Sequence, residues 1–226
     1  PLFLKYLHRF IVSGAPLGLG VIFTDGLKLV SASVKEEIID KTVALLDQEG
    51  VLKGKKRGMR EEGFSAPDMK EILMNFEKLA DLSVRKAFKE SQLEQKILAL
   101  LGQELKRYLK PFPEPYELRF MELKQMFSLS DEEIDLIRFL FCDGQESGFF
   151  FDDLNMERFS NLQVLSIALN LPVSRVEHLL RSKSALADSG LVNVRGLFQE
   201  HGEYLDADVQ LYLSGFLEKD ELMKEI

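Results

Sequence analysis

The sequence predicts a mainly α protein, a helical N-terminal domain followed by a winged-helix domain in which a helix-turn-helix carries a small β-wing. Three observations lead there. Apolar residues recur at helical spacing through most of the 226-residue chain. The segment SNLQVLSIALNLPVSRVEHLL, 160–180, has the capping and breaking residues of two short helices joined by a tight turn. Pro111, Pro113 and Pro115 remove three backbone donors within five residues and bias that stretch toward extended structure, which puts a domain boundary between residues 1–112 and 113–226.

Residues 2–12 read as an amphipathic helix, broken by Gly14, Pro16, Gly18 and Gly20. VIFT and LKLV flank Asp25-Gly26, a favoured two-residue turn, so a small hairpin is expected there. Ser33 and Glu36 form a capping box for a helix reaching about Glu49. That helix leads into GVLKGKKRG, which opens a degenerate winged helix as an alternative for the N-terminal half. Two helices are expected over 67–110, broken near Ser91. In the second half, 116–127 suggests a helix, and Ser130 boxed by Glu133 starts another with Ile134, Ile137, Leu140 and Phe141 inward.

In the helix-turn-helix, Ser160 and Gln163 make the first cap, and Leu162, Leu165 and Ala168 share a face. Asn170 tolerates the left-handed conformation that ends a helix, and Pro172 forbids continuation while presetting the next start. Val176, Leu179 and Leu180, with Leu171, supply the buried side of the second helix. Arg175, His178 and Arg181 then point outward with Glu177, and the first three form the candidate recognition surface. Residues 191–195 and 203–205 are expected to pair as the wing, with a helix from Asp206 next, carrying Val209, Tyr212, Leu213 and Phe216.

Composition limits the chemistry. No apolar run approaches the roughly 18 residues of a membrane span, a single cysteine (Cys142) cannot form an internal disulfide, and no signal-peptide order is present, so a cytoplasmic location is expected. Residues 1–112 hold 19 basic and 15 acidic side chains, whereas 113–226 hold 10 and 22, giving +4 and −12. An acidic carrier repels phosphate, which disfavours nucleic acid as the partner and favours protein.

Gly50 to Lys55 falls one residue short of a phosphate-binding P-loop, with Lys56 in the Ser/Thr place, and GAPLGLG lacks the dinucleotide spacing. The acid after FLFC, Asp143, continues a helical period. His8, His178 and His201 are scattered, so neither a metal site nor a Cys-His nucleophile is predicted, and Asp152-Asp153 reads as a loop or cap. No catalytic, cofactor-binding or metal-ligating residue is named. Lys53, Lys55, Lys56, Arg57 and Arg60 form a candidate basic loop with a real local field, although a charge run is more often a solvated face.

The order FMELKQMFSLSDEEIDLIRFLFC, SIALNLPVSRVEHLL, SALADSGLVNV and YLDADVQLYLSG resembles the winged-helix region that precedes the ATPase module of certain bacterial AAA-family ATPases. The resemblance covers about 117–217 and leaves 1–110 uncovered. It implies an accessory or regulatory region that positions protein partners or substrates for a ring-shaped, hexameric motor. It also implies that ATP and Mg belong to a module after Ile226, since no complete P-loop occurs in this sequence.

Overall fold

The structure is a computed structural model that describes residues 2–13, 22–23, 26–49, 93–109, 114–145, 150–151, 160–181, 184–199 and 204–225. The protein is mainly α, with eleven α-helices and no named strand among the described residues. The chain divides into two compact units, Pro1–Ser13 with Leu109–Ile226, and Gly14–Tyr108. The first helix therefore groups with the C-terminal half, where the sequence division at 112/113 keeps it with the N-terminal half.

The Gly14–Tyr108 unit is built on α2 (Ala32–Gln48) packed against α3 (Leu93–Arg107). Ile38, Ile39 and Leu46 of α2 meet a core that also holds Ile97, Leu101 and Leu105 of α3, all buried. The cap of α2 is Ser31, whose hydroxyl accepts the Val34 N–H at 3.4 Å, rather than Ser33, which pairs with the Ser31 hydroxyl at 3.2 Å. Capping depends on which serine has extended φ/ψ, and spacing to a later glutamate does not decide that. The expected hairpin strand LKLV is instead a 3-10 helix, Gly26–Leu29, and Ile22 and Phe23 are helical. Ile22, Phe23 and Leu27 are all buried, which a strand with alternating faces does not require. Expectations for 50–92, the basic loop included, lie outside the described residues.

In the other unit α5 (Asp131–Gln145) is the central element, flanked by α1 (Leu2–Val12), α4 (Glu114–Met126) and α6 (Asn161–Leu169). Its apolar face is broad: Ile134, Leu136, Ile137, Phe139, Leu140 and Phe141 are all buried. A helix that is apolar on so many sides needs partners on several sides. Against α1 it builds an aromatic cluster, with Phe139 5.1 Å from Tyr6 edge-on and 5.4 Å from Phe150, which in turn lies 5.2 Å from Phe10. Phe150 also anchors its own backbone, donating its N–H to the buried Asp143 carboxylate at 2.7 Å. Asp143 thus serves as a helix-end acceptor. α4 begins at Glu114 with Pro115 second, a position where the missing N–H removes no helical bond.

The chain closes through α10 (Ala207–Ser214), which packs on α4 and on α11 (Lys219–Glu225). Asp206 caps α10 by accepting the Asp208 N–H at 2.9 Å. The helix stops at Ser214 because Gly215 adopts φ +87°. Phe216, expected on the buried side of this helix, therefore lies beyond it and is 82% exposed, whereas Val209, Tyr212 and Leu213 are buried as expected.

Candidate functional site

The helix-turn-helix segment forms as two helices, α6 and α7 (Val173–Leu179), joined by 170–172. Each part of the turn has a local cause. Gln163 Oε1 accepts the Ser160 N–H at 2.9 Å and satisfies one donor at the start of α6. Asn170 closes that helix at φ 54° and ψ 44°, the left-handed region that its side chain tolerates. The reversal is fixed by Leu171 N–H donating to the Ser166 carbonyl at 3.0 Å and the Ser166 hydroxyl donating to the Leu171 carbonyl at 2.6 Å. Pro172 then caps α7. Val164, Leu165, Ala168 and Leu169 of α6 and Val176, Leu179 and Leu180 are buried, while Leu162 and Leu171 are half-buried.

Arg175, His178 and Arg181 are all exposed at α7 and its end, so the structure places the three on the outside together. Arg175 is already paired within the chain: its guanidinium donates to Glu132 of α5, with Nε at 2.7 Å and Nη2 at 2.6 Å. The Glu132 carboxylate beside it raises the Arg175 pKa above its ordinary value. Glu177 is half-buried on the same helix. The field at this face is thus mixed in sign.

Between α7 and α10 the described residues form two short helices and one bridge. Ser184 caps the short α8 (Ala185–Asp188), accepting the Ala187 N–H at 3.0 Å. Glu133 of α5 reaches the same turn: Oε1 accepts the Leu186 N–H at 3.1 Å while Oε2 accepts the Ser130 N–H and hydroxyl, each at 2.8 Å. One buried carboxylate therefore starts α5 and holds α8. Among the described residues the predicted pairing of 191–195 with 203–205 is represented by one antiparallel bridge, Val192 to Leu205, with Asn193 N–H to the Tyr204 carbonyl at 2.8 Å and Asp206 N–H to the Leu191 carbonyl at 3.0 Å; residues 200–203 lie outside the described residues. The strand stops because Asn193 begins a helix. Its side chain accepts the Gly196 N–H at 2.9 Å at the head of α9 (Val194–Gln199), and helical backbone cannot continue a ladder.

A second polar centre, invisible in the sequence, ties α1 to this unit. Asp135 accepts Lys5 Nζ at 2.5 Å, Arg9 Nη1 at 3.0 Å and the Tyr6 hydroxyl at 3.1 Å. Arg9 also donates to the Ala168 carbonyl near the end of α6. Burial pushes the Asp135 carboxyl up, but the Lys5 ammonium and Arg9 guanidinium together hold it below its ordinary value. Burial lowers the Lys5 ammonium in spite of its partner, and burial raises the Tyr6 hydroxyl well above its ordinary value. Lys5, Tyr6 and Arg9 each donate to an acceptor on α5 or α6, so the centre is a structural clamp.

In the Gly14–Tyr108 unit the buried Glu104 accepts Lys41 at 2.5 Å and Arg107 at 2.9 Å. Lys41 also pairs with Glu37 at 2.6 Å, and an open depression over this part of α2 is lined by Ser33, Glu36, Glu37, Asp40, Lys41 and Ala44. Among the described residues no group of three or more His, Cys, Asp or Glu could hold a metal ion, and no helix is long and apolar enough to cross a membrane. Cys142 is buried.

Compared with protein-family models, with curated proteins and with solved structures, the chain finds no match.

Proposed function

We propose that the chain is a non-catalytic accessory or regulatory region of an AAA-family ATPase, in which the α6–α7 unit, read as part of a winged helix, recognises protein partners or substrates. ATP and Mg would act in a module encoded after Ile226. The observation that carries the protein-facing reading is the Arg175 to Glu132 ion pair. A recognition helix that reads DNA needs its arginines available to base edges and phosphate, and here the first of the two arginines is paired with a neighbouring carboxylate. The other lies in a half of the chain with 10 basic and 22 acidic residues. Such a balance repels phosphate at long range. The motor assignment is supported by the order of motifs over 117–217.

The coding sequence downstream of Ile226 tests the motor assignment: an in-frame Gly-x4-Gly-Lys-Ser/Thr after a strand is the expected result, and a stop codon or a continuation without it overturns it. The alternative is a winged-helix DNA-binding regulator, favoured by the joint exposure of His178 and Arg181 on the end of α7. Gel shift at about 50 mM salt separates the two. Protein recognition predicts no retardation of genomic fragments. Salt-sensitive retardation that collapses on Arg175→Ala plus Arg181→Ala establishes the regulator instead.

A further inference from the structure

The exposed large apolar side chains of the described residues are not scattered. With the exception of Val12, all lie on α4 and on the α10–α11 segment, elements that pack on one another through α10. Phe216 is 82% exposed, Leu118 58%, Met223 53% and Leu211 44%. Isolated apolar residues on a surface are ordinary, but their concentration on α4 and the α10–α11 segment, elements in contact with one another, points to an interface.

Phe216 is also held rigidly in that position. Gly215, at φ +87°, ends α10 with its N–H on the Tyr212 carbonyl at 3.0 Å, and Phe216 N–H returns to the Leu211 carbonyl at 2.9 Å. This pair of bonds is a Schellman ending, which brings the residue after the glycine back beside the one five before it. Leu211 and Phe216 therefore stand side by side. The turn is further pinned by Arg119 Nη1, which donates to the Tyr212 carbonyl at 2.6 Å and the Leu217 carbonyl at 3.2 Å while its guanidinium lies 5.0 Å over the Tyr212 ring. A projecting aromatic on a fixed backbone loses little entropy when it inserts into a partner.

The charges around these side chains decide between occupants. Glu117, Glu122, Asp208, Asp220 and Glu221 stand on α4, α10 and α11 and Glu218 between the last two, against Arg119, Lys124, Lys219 and Lys224. The face is net acidic, within a chain half that carries −12. A second copy of the same face would set like charge against like. We propose that the Leu211–Phe216 face is a docking surface for a separate polypeptide segment that is amphipathic and basic, with an apolar side that takes Phe216 and Lys or Arg flanking it. The face is independent of the α6–α7 surface, being made by other helices.

Two fluorescent amphipathic helical peptides with the same leucine face test it, one with lysine and one with glutamate on its polar face, by anisotropy against the full chain. The lysine peptide is expected to bind and the glutamate peptide not. Phe216→Ser and Phe216→Asp should each weaken binding about tenfold or more at an unchanged melting temperature. The aspartate variant is the sharper one, since it adds attraction for lysine while removing the anchor. Failure of the lysine peptide to bind, equal binding of the two peptides, or affinity indifferent to Phe216→Ser overturns the proposal. So does a concentration-dependent dimer in sedimentation velocity that Phe216→Ser dissolves, which would assign the face to a second copy. Arg181→Ala plus His178→Ala should leave this binding intact, so its failure is separable from that of the α7 surface.

Discussion

Asp135 shows how one side chain can decide the placement of a helix. It collects Lys5, Tyr6 and Arg9, three residues of α1 that share one side of a 3.6-residue turn, and returns a single charge for two. Removing that charge while keeping the shape leaves two partly buried cations with less compensation, and breaking a buried pair costs more than the pair contributes. Asp135→Asn is expected to lower stability by about 1–3 kcal/mol, below the fully buried range because all three groups retain some exposure. The urea midpoint at neutral pH measures it. The pH dependence has a definite sign. The folded pKa of Asp135 is depressed, so its contribution is fully present above the unfolded value, about 3.9, and is lost as pH falls through the folded value. Wild type should therefore lose stability below about pH 4, and Asp135→Asn should show a shallower acid limb; parallel acid limbs would refute the assignment. Asp131 and Glu37 are shifted in the same direction by Lys124 and by Lys41 with Tyr108, so part of the limb survives in the variant.

Among the elements, the start of α5 carries more than its own cap. Ser130 and Glu133 form the box that the sequence announces, and the second oxygen of Glu133 then accepts Leu186 N–H at the head of α8. A Ser130→Ala change removes a cap interaction and should cost about 1 kcal/mol. Glu133→Ala also strands the buried Leu186 N–H and the part-buried Ser130 N–H and should cost about 2–4 kcal/mol. Equal effects in chemical denaturation would mean that the bond to α8 contributes nothing. The same element bears on the proposed protein-facing role of α7: Glu132, one residue earlier, takes Arg175. Helical spacing puts consecutive acids on different sides, one inward to a cap and one outward to an ion pair.

For the molecule as a whole, the notable fact is that the unit built on α5 is discontinuous in sequence. Pro1–Ser13 joins Leu109–Ile226 across the intervening Gly14–Tyr108 unit. α1 supplies Phe3, Tyr6 and Phe10 to the cluster around Phe139 and Phe150. A fragment of residues 109–226 should therefore expose that cluster, bind the dye ANS and unfold without a sharp transition. Adding a peptide of residues 1–13 should suppress the dye signal and restore cooperativity. A fragment that melts sharply and ignores the peptide would show that α1 is peripheral.

Local chemistry makes much of this legible: the Ser130–Glu133 box, the Gln163 return to Ser160, the left-handed Asn170 and the Pro172 start are each settled within a few residues, and the structure has them where the sequence puts them. The outward set Arg175, His178 and Arg181 comes from helical period alone. The wing is not legible in the same way: Val192 and Leu205 do pair, but Asn193 can either extend a strand or cap a helix, and its neighbours choose the cap. Nor is Phe216, because helical spacing continues past a glycine that ends the helix. Only tertiary structure could give Arg175 to Glu132, α1 to Asp135 and Phe216 to the surface, because contacts between residues 43 to 130 positions apart depend on which helix faces pack. Periodicity fixes what a helix presents, and packing decides to whom.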